Sequence, residues 1–393
     1  MSEVVDTRNA DRLRVLIANS TLHIGGAEKV AANLAVHLDR QAFETTAVYL
    51  KENGVVGERM QRDGVDLVPI PGLKGPAPDG RRRPDYFTAF KLLRLIRQRR
   101  IQLIHTHDMH SFIDAAVCRL LYPRLRYVHT FHWGNYPVIE PQYERIERLL
   151  WRVPDALVCV GHEQADAMCK FYGIPRDRVH VIWNGTDAPR PDVAPEVQAL
   201  LPTDGRPVIG SISTLIPQKG LEDLLEAVAI LKAEGKRFLL LIVGQGTLRE
   251  ALEQRAAALG IGEFVNFLGW VNDASARALP ACAIFVQSSH WEAMSVVVLE
   301  AMAGAKPVVA TTVGENARVL SSGEDALLVP PRNPAALAAA LARVIDDDAL
   351  RRRLGEAARR KFRESLTIER MVRNHEALYG RLLGRAPAAA PTP

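Results

Sequence analysis

Two glutamates, Glu292 and Glu300, frame the part of the sequence whose residue types and spacing best suit binding chemistry. Seven mostly small or apolar residues separate the two carboxylates, and Gly304 and an apolar run opened by Pro307 follow them. If a helix begins near Ser295, its first amide groups have no acceptor within the helix and point toward Glu292, which suits a phosphate or a sugar hydroxyl. Glu300 would follow about two turns later, turned by roughly 80° from Glu292. The two acids could then hold different parts of one extended ligand.

Residues 296–303 support two secondary-structure predictions. The three valines at 296–298 are β-branched and favour a strand, with the glutamates solvated at its ends. Residues 299–303, followed by Gly304 as a C-terminal cap, favour a buried helix. The pattern as a whole predicts the helix, and the strand remains the alternative.

The length and composition indicate two domains. The chain has 393 residues, 48% of them hydrophobic, and single hydrophobic cores stop growing at roughly 250 to 300 residues. No stretch approaches the roughly 20 apolar residues of a membrane span, and residues 1–11 are polar, unlike an export signal. The four cysteines are far apart and form no C-x2-C pair, which argues against a zinc site and a disulfide framework. We therefore expect a protein of the reducing cytoplasm.

The net charge of +5 is concentrated in a few arginine-rich segments. Nucleic-acid binding is not expected, because no zinc-finger spacing, RNP-type aromatic motif or heptad accompanies these arginines. Residues 81–100 combine arginines with an apolar stripe of Phe87, Phe90, Leu93 and Ile96. Such a stripe either packs on the sheet, leaving the charges solvated, or contacts an anionic membrane surface. The pattern favours the packed helix, and peripheral membrane contact remains a hypothesis.

Short apolar runs alternate with helical patterns along most of the chain, which predicts parallel, doubly wound α/β sheets. A segment rich in Pro, Asp and Gly interrupts this alternation, and a second series then begins. We predict two Rossmann-like domains that face a cleft, because ligands of open α/β sheets bind beyond the carboxyl ends of the strands. The predicted divisions are a first domain over 1–187, a linker over 188–205, a second domain over 206–365, a helix over 366–385 that crosses back to the first domain, and a disordered tail over 386–393.

Four loops at predicted strand ends carry groups that suit a nucleoside diphosphate. Gly25 and Gly26 precede a helix, where backbone amides can approach a phosphate closely. Lys219 offers a point charge to a phosphate, and Gly244-Gln245-Gly246 forms a turn that can lie close to a nucleotide base. The loop of Glu292 is the fourth. Each loop also has an ordinary interpretation, as a tight turn or a solvated side chain.

The succession of these motifs resembles a retaining group 1 glycosyltransferase of the GT-B fold, over nearly the whole chain. The E-x7-E element from Glu292 to Glu300, continued by Ala-Met-Ala-x-Gly-x-Pro-Val-Val-Ala, is the most specific part. The supporting motifs are Gly25-Gly26-Ala27-Glu28, His105-Thr106-His107, Thr130-Phe131-His132, Asn184-Gly185-Thr186-Asp187, Lys219-Gly220, Gly244-Gln245-Gly246 and residues 323–331.

The resemblance implies a role for each of these residues. Glu300 would bind the ribose of the donor, and Glu292 would hold its sugar together with the amides of Ala293, Met294, Ser295 and Val296. Lys219 would neutralise the diphosphate, Gly25 and Gly26 would approach it from the acceptor-side first domain, and His132 would contact the sugar. Glu292, Lys219 and His132 are thus the expected catalytic residues, and Gly244 and Gly246 complete the expected donor site. Transfer with retention would proceed on the front face of the sugar, with the donor phosphate taking the proton of the acceptor.

One position departs from the family pattern. Thr214 stands where the family usually has an arginine, and threonine cannot supply a cationic, bidentate phosphate contact. Another basic residue then substitutes, or turnover is slow, or the domain has lost donor chemistry. Lys219 accordingly becomes more important to the hypothesis.

Metal-independent chemistry is expected. His105, His107, His110, His129 and His132 could share a metal, but no carboxylate pair or cysteine completes a ligand set. The acidic run at 346–348 is better explained as a solvated helix start. We expect no cofactor beyond the substrate, a UDP- or GDP-linked sugar.

The sequence therefore predicts a cytoplasmic glycosyltransferase of polysaccharide biosynthesis, peripheral on the inner face of the membrane if the basic segment binds lipid. Its partners would be a nucleotide-sugar donor and a glycan or lipid-linked acceptor, and no nucleic acid. The alternatives are a sugar-nucleotide epimerase of the same fold and a catalytically weakened nucleotide-sugar-binding protein, which Thr214 favours.

Overall fold

The computed structural model describes residues 12–23, 25–76, 82–133, 135–136, 138–188 and 192–385. The tail predicted to be disordered, 386–393, and Arg81 of the basic segment lie outside these residues. The chain forms two compact units, Met1–Gly185 with Ile368–Pro393 and Thr186–Thr367. Each unit is described below by itself.

The first unit contains a seven-stranded sheet in the order β3-β2-β1-β6-β7-β8-β9. Every pairing in this sheet is parallel, while β4 and β5 form a separate antiparallel pair. The strands are β1 (Leu13–Thr21), β2 (Phe43–Glu52), β3 (Asp66–Pro69), β4 (Leu73–Pro76), β5 (Arg82–Pro84), β6 (Leu103–Thr106), β7 (Arg126–Phe131), β8 (Ala156–Cys159) and β9 (Val179–Val181).

Seven helices of the first unit lie within its described residues. They are α1 (Gly26–His37), α2 (Val55–Arg62), α3 (Thr88–Gln98), α4 (Met109–Leu121), α5 (Pro141–Leu150), α6 (His162–Tyr172) and α15 (Ile368–Leu382). The sheet is buried between helices, so strands such as β6 and β8 are buried along their whole length, including the polar His105 and Thr106 of β6.

The second unit contains a six-stranded, fully parallel sheet in the order β12-β11-β10-β13-β14-β15. Its strands are β10 (Val208–Ile212), β11 (Leu239–Val243), β12 (Val265–Gly269), β13 (Ile284–Gln287), β14 (Val308–Thr311) and β15 (Ala326–Val329). Its helices are α7 (Pro195–Gln198), α8 (Leu221–Ala233), α9 (Arg249–Ala258), α10 (Ala274–Arg277), α11 (Val296–Ala303), α12 (Asn316–Val319), α13 (Pro334–Asp346) and α14 (Asp348–Ser365). Asp347 caps α14 by accepting from the amide of Leu350 at 2.8 Å, so the acidic run is indeed a helix start.

Both sheets are doubly wound, which confirms the predicted fold class. In each, the strand order reverses beside the first strand of the unit, between β1 and β6 in one sheet and between β10 and β13 in the other. Loops that leave the carboxyl ends of strands diverge at such a switch point and leave room for a ligand. These two positions are therefore where the functional side chains should be sought.

The helix prediction for residues 296–303 is confirmed by α11. Seven of its eight residues are buried, and it packs against α14, β13 and β14. Burial on all sides outweighs the β propensity of the three valines, because tertiary packing contributes more than intrinsic preference.

The predicted linker is wrong in its extent. Ala194 and Val197 within 188–205 are buried in a cluster with Val208 and Leu241, so the described part of this segment packs as part of the second unit. The burial of these two apolar residues holds this part of the chain against the second unit. The boundary between the units falls instead between Gly185 and Thr186.

The predicted apolar stripe on α3 is also wrong. Leu93 and Ile96 are buried in the core of the first unit, whereas Phe87 and Phe90 are exposed. The helix packs against α4 through one face only, and that face excludes the two phenylalanines. Among the residues described, no helix is long and apolar enough to span a bilayer.

Candidate functional site

The loop after β10 is held against the loop after β11 by backbone hydrogen bonds. The amide of Ser213 donates to Val243 O at 3.0 Å, and that of Leu215 donates to Gln245 O at 2.9 Å. Gly244 has a φ of +139°, and a Cβ there would clash with Ser213 O. Gly246 is crowded in the same way by the backbone of Leu215. Both glycines are therefore required for the contact of the two loops.

Lys219 lies at the switch point of the second unit. It is the last residue of a short 3₁₀ turn, Pro217–Lys219, that precedes α8. Gly220 follows with a φ of +57°, and a Cβ there would clash with Ser288 O. Only glycine lets this loop approach the loop after β13 so closely, and the approach brings Lys219 Nζ to 2.6 Å from Glu292 Oε1.

Glu292 is almost completely buried, with 8% of its surface exposed. Its Oε1 also accepts a hydrogen bond from Ser289 Oγ at 2.8 Å. From the described residues, its Oε2 receives only a long contact from Gln218 Nε2 at 3.5 Å, and that nitrogen is closer to Trp291 O, at 3.1 Å. The strong contacts therefore converge on Oε1, and Oε2 retains capacity to accept a ligand hydroxyl.

Further hydrogen bonds join the two loops at their bases. Ser288 Oγ donates to Lys219 O at 2.9 Å, and the amide of His290 donates to Gln218 O at 2.8 Å. His290 Nε2 lies 2.9 Å from Asp223 Oδ2 in the first turn of α8. These bonds preorganise the positions of Lys219 and Glu292.

The segment between Glu292 and α11 is fixed by the loop after β14. Gly314 has a φ of +52°, a Cβ there would clash with Glu292 O, and the amide of Glu315 donates to Ala293 O at 3.0 Å. Ser295 precedes α11 in an extended conformation, and its side chain makes no capping bond. The first-turn amides of α11, from Val296 onward, therefore have no acceptor within the helix.

Glu300 lies within α11 and is 5% exposed. Glu292 precedes the helix by four positions, so the helical-wheel angle predicted between the two glutamates does not apply. Thr214, by contrast, is exposed in the loop after β10.

In the first unit, Gly25 and Gly26 open α1 directly after β1. The Glu28 carboxylate folds back over Gly25, where a Cβ would clash with its Oε2. Burial raises the pKa of Glu28, and its carboxylate accepts a backbone hydrogen bond within its own turn. A carboxylate therefore occupies the helix start where a phosphate was predicted.

Asp108 ties the ends of β1 and β6 together at the switch point of the first unit. Its carboxylate accepts from Ser20 Oγ at 2.6 Å and caps α4 through the amides of His110 and Ser111. His110 Nε2 in turn lies 2.8 Å from Lys51 Nζ. These contacts fix the loop that carries His107.

Several histidines gather behind this loop. His107 Nδ1 lies 3.0 Å from His132 Nε2, and the ring of His107 packs on that of His105 with centroids 4.2 Å apart. His105 contacts Tyr379 Oη at 2.6 Å and Thr130 Oγ1 at 2.7 Å. The C-terminal helix α15, which carries Tyr379, thus supports the cluster.

Burial keeps these imidazoles neutral. It lowers the pKa of His132 to about 3 and that of His375 to about 4. The pKa values of His105, His107 and His129 are also held well below the usual range, first by burial and then by their neighbours. Within the described ranges, no three His, Cys, Asp or Glu side chains are arranged to hold a metal ion.

Two family models match the chain in succession. Residues 24–190 match Glycosyltransferase Family 4, and residues 193–361 match Glycosyl transferases group 1. Both family models describe glycosyltransferases, one for each part of the chain.

Similar proteins come from bacteria and archaea. An uncharacterized glycosyltransferase of Methanocaldococcus jannaschii is 27% identical over 70% of this chain and 74% of its own length. The lipopolysaccharide core biosynthesis glycosyltransferase LpsD of Rhizobium meliloti is 33% identical over 59% of this chain and 64% of its own length. HepE of Anabaena, solved in complex with UDP-glucose, has a TM-score of 0.80 and 20% identity, covering 94% of this chain and all of that one. The fold is that of GT-B glycosyltransferases.

Sequence reasoning missed three polar residues beside the predicted site. Gln218 and Ser289 contact Glu292, and Asp108 organises the end of β6. A signal was available for two of them, because Ser289 and Asp108 follow buried strands at carboxyl ends. The partners they contact could not be inferred from spacing.

Proposed function

We propose that this protein transfers a sugar from a UDP- or GDP-linked donor to a hydroxyl of a glycan or lipid-linked acceptor, with retention and without a metal ion. The observation that carries the proposal is the contact of Lys219 with Glu292 at the switch point of the second unit. Lys219 would supply a cation for the diphosphate, and Glu292 would supply a carboxylate for the sugar. The two residues lie on the loops after β10 and β13, which hydrogen bonds join.

The ion pair stabilises Glu292 before a donor binds, and the donor replaces this contact. A buried carboxylate without a partner is costly, so Lys219 stabilises Glu292 when no ligand is bound. On binding, the ammonium group turns to the diphosphate while Ser289 keeps its bond to Oε1. Glu292 Oε2 then accepts a sugar hydroxyl, and the amides of α11 face the anion.

In the transfer step, the bond from the anomeric carbon to the donor phosphate breaks and the bond to the acceptor oxygen forms. The acceptor proton passes to the departing phosphate oxygen, so no protein nucleophile is required. Lys219 and the α11 amides stabilise the developing negative charge, because they are preorganised before the reaction. Glu300 binds the ribose, and His132 contacts the sugar.

A thermal-shift panel of UDP, GDP and their sugars tests the donor site. A true donor binds only the native state and raises the melting temperature of the wild type. We expect smaller shifts for Lys219→Ala and Glu300→Ala. Lys236→Ala is the matched control, because Lys236 makes an ion pair of the same length, 2.6 Å, with Asp346 on the surface of the same unit. If no nucleotide shifts the wild type, the proposal fails.

The exposed Thr214 favours a second candidate, a weakened enzyme or nucleotide-sugar-binding protein. Incubation of each nucleotide sugar that produces a shift, without an acceptor, separates the possibilities. Slow hydrolysis supports a transferase, and conversion to an epimeric nucleotide sugar supports an epimerase. If neither product forms, the binding protein is supported.

We further propose that the first unit contacts the inner, anionic surface of a membrane through α3 and the residues before it. Tyr86, Phe87 and Phe90 are 85%, 61% and 55% exposed. The exposed arginines of this helix include Arg94 and Arg97, and residues 86–100 contain no acidic side chain. Exposed aromatic rings beside basic side chains are typical of interfacial binding.

Sedimentation with vesicles tests this surface. Binding to phosphatidylglycerol vesicles at low salt is expected, and neutral phosphatidylcholine vesicles should not bind. Replacing both Phe87 and Phe90 by serine should weaken binding. Leu149→Ser, which changes a 75% exposed apolar residue on α5, is the matched control. Absence of binding to anionic vesicles at low salt would refute the proposal.

A further inference from the structure

His107 and His132 follow adjacent parallel strands. Thr106, the last residue of β6, pairs with His129 of β7, so the residues that leave both strands emerge side by side. Their two imidazole rings stack with centroids 5.3 Å apart and an angle of 28° between planes. His107 Nδ1 and His132 Nε2 are 3.0 Å apart, which is hydrogen-bonding distance.

A hydrogen bond between two neutral imidazoles requires one N–H and one lone pair. Either His107 Nδ1–H donates to His132 Nε2, or His132 Nε2–H donates to His107 Nδ1. Each arrangement fixes the tautomers of both rings together. The first places the remaining proton of His132 on Nδ1, and the second places the remaining proton of His107 on Nε2.

The surroundings of His107 Nε2 distinguish the two arrangements. This atom is inaccessible to solvent and has no hydrogen-bond partner among the residues that the structure describes. The second arrangement would bury an N–H without an acceptor, which is rare in folded proteins. The first leaves only a lone pair of an aromatic nitrogen there. The geometry therefore favours donation from His107 to His132.

His107 is held too firmly to turn away from this contact. Its ring packs on His105, whose two nitrogens are engaged by Tyr379 and Thr130. Its backbone amide donates to Ala18 O of β1 at 3.3 Å. The ring orientation is thus set by β1, β7 and α15.

We propose that His107 is a positioning residue that fixes the tautomer of His132, so that His132 presents an Nδ1–H donor. This inference rests on the proposed function for its consequence, since His132 would then donate a hydrogen bond to an oxygen of the donor sugar or phosphate. An acceptor nitrogen at the same place could bind a sugar hydroxyl only by accepting from it, and it would disfavour a phosphate oxygen, which has no proton to donate.

The tautomer of His132 can be measured without any substrate. Long-range ¹H–¹⁵N NMR of the full chain labelled at histidine distinguishes Nδ1–H from Nε2–H rings, and the signal lost in His132→Gln assigns the residue. We expect wild-type His132 to be the Nδ1–H tautomer. His107→Asn keeps a hydrogen-bond donor and should preserve that tautomer of His132. His107→Leu removes the donor, and His132 should then be a mixture of both tautomers.

His129→Asn is the matched control. His129 is equally buried and contacts Thr106 Oγ1 at 2.7 Å, so its replacement tests for general damage to the cluster and should leave the His132 tautomer unchanged. An Nε2–H tautomer in the wild type overturns the proposal, whether or not any variant folds. An unchanged Nδ1–H tautomer in folded His107→Leu overturns it as well.

Turnover then separates this inference from the proposed function. With a nucleotide sugar identified in the thermal-shift panel, His107→Leu should lower kcat about 10-fold with little change in KM, and His107→Asn should restore most of the loss. If the tautomers behave as expected but no nucleotide sugar reacts, the proposed function fails and the positioning role stands.

Discussion

The switch point of the second unit and the histidine cluster of the first unit differ in electrostatic character. In the second unit, the loops after β10 and β13 bring a lysine and a carboxylate into contact. In the first unit, the loops after β6 and β7, beside the switch point where Asp108 lies, bring together imidazoles that burial keeps neutral. Side-chain chemistry therefore decides what each region can bind.

The difference suits ligand groups of different charge. A diphosphate carries charge that requires a cation and preorganised amides, and it can displace an ion pair that is already formed. Sugar hydroxyls are neutral, and a neutral imidazole can bond them without the desolvation cost of a buried charge. We expect variants in the two regions to fail in different ways.

The largest effect is expected at the charged switch point. Lys219→Ala should reduce turnover of the donor roughly 10²- to 10³-fold, because a preorganised contact to developing charge is lost. Nucleotide affinity should fall as well. Steady-state kinetics with Lys236→Ala as the control measures this effect. Equal losses in both variants would show that Lys219 has no special role.

At the histidine cluster, kcat should change more than affinity. His132→Gln should lower kcat roughly 10- to 100-fold, while the melting-temperature shift produced by UDP or GDP alone stays near that of the wild type. A loss of nucleotide binding equal to that in Lys219→Ala would remove the distinction between the two regions.

The neutral histidines also predict acid sensitivity of the first unit. The pKa of His375 is lowered to about 4, below the value of about 6.5 in the unfolded chain. The unfolded state therefore binds more protons between these values, and the free energy of unfolding falls as the pH decreases from about 6.5 to about 4. Each such histidine contributes up to about 1.4 kcal/mol per pH unit.

Urea unfolding at several pH values measures this slope. His375→Gln should make the fall in the free energy of unfolding below pH 6.5 shallower, because one buried imidazole no longer resists protonation. The slope should change by the equivalent of up to one proton taken up on unfolding. An identical slope in the variant and the wild type would show that His375 is not responsible.

The smallest effect is expected from adding a positive charge at the switch point of the second unit. Thr214→Arg should tighten UDP or GDP binding roughly 3- to 10-fold, with solvent screening limiting the gain at this exposed position. Thr214→Gln adds length without charge and is the control. Calorimetric titration at two salt concentrations should show the gain shrinking at the higher one, and no gain at low salt would exclude the position from the phosphate site.

Much of the fold follows from local sequence patterns. The apolar runs and the periodic segments between them identify strands and helices, as with α1, which was predicted to follow Gly25 and Gly26 and is found at Gly26–His37. The errors have physical causes. The stripe on α3 failed because packing against α4 selected one face of the helix, and the linker failed because Ala194 and Val197 found an apolar surface on the second unit.

The sequence by itself determined the element types and the motif that carries the family resemblance. It also determined the glycines that let two loops approach closely. All of these depend on residues near one another in the chain. Only the tertiary structure decided the partners. Lys219 and Glu292 are 73 positions apart, and His105 and Tyr379 are 274 apart. Parallel strands become neighbours through long crossovers, and imidazoles lose their charge through burial, so neither the ion pair nor the neutral histidines could be predicted from spacing.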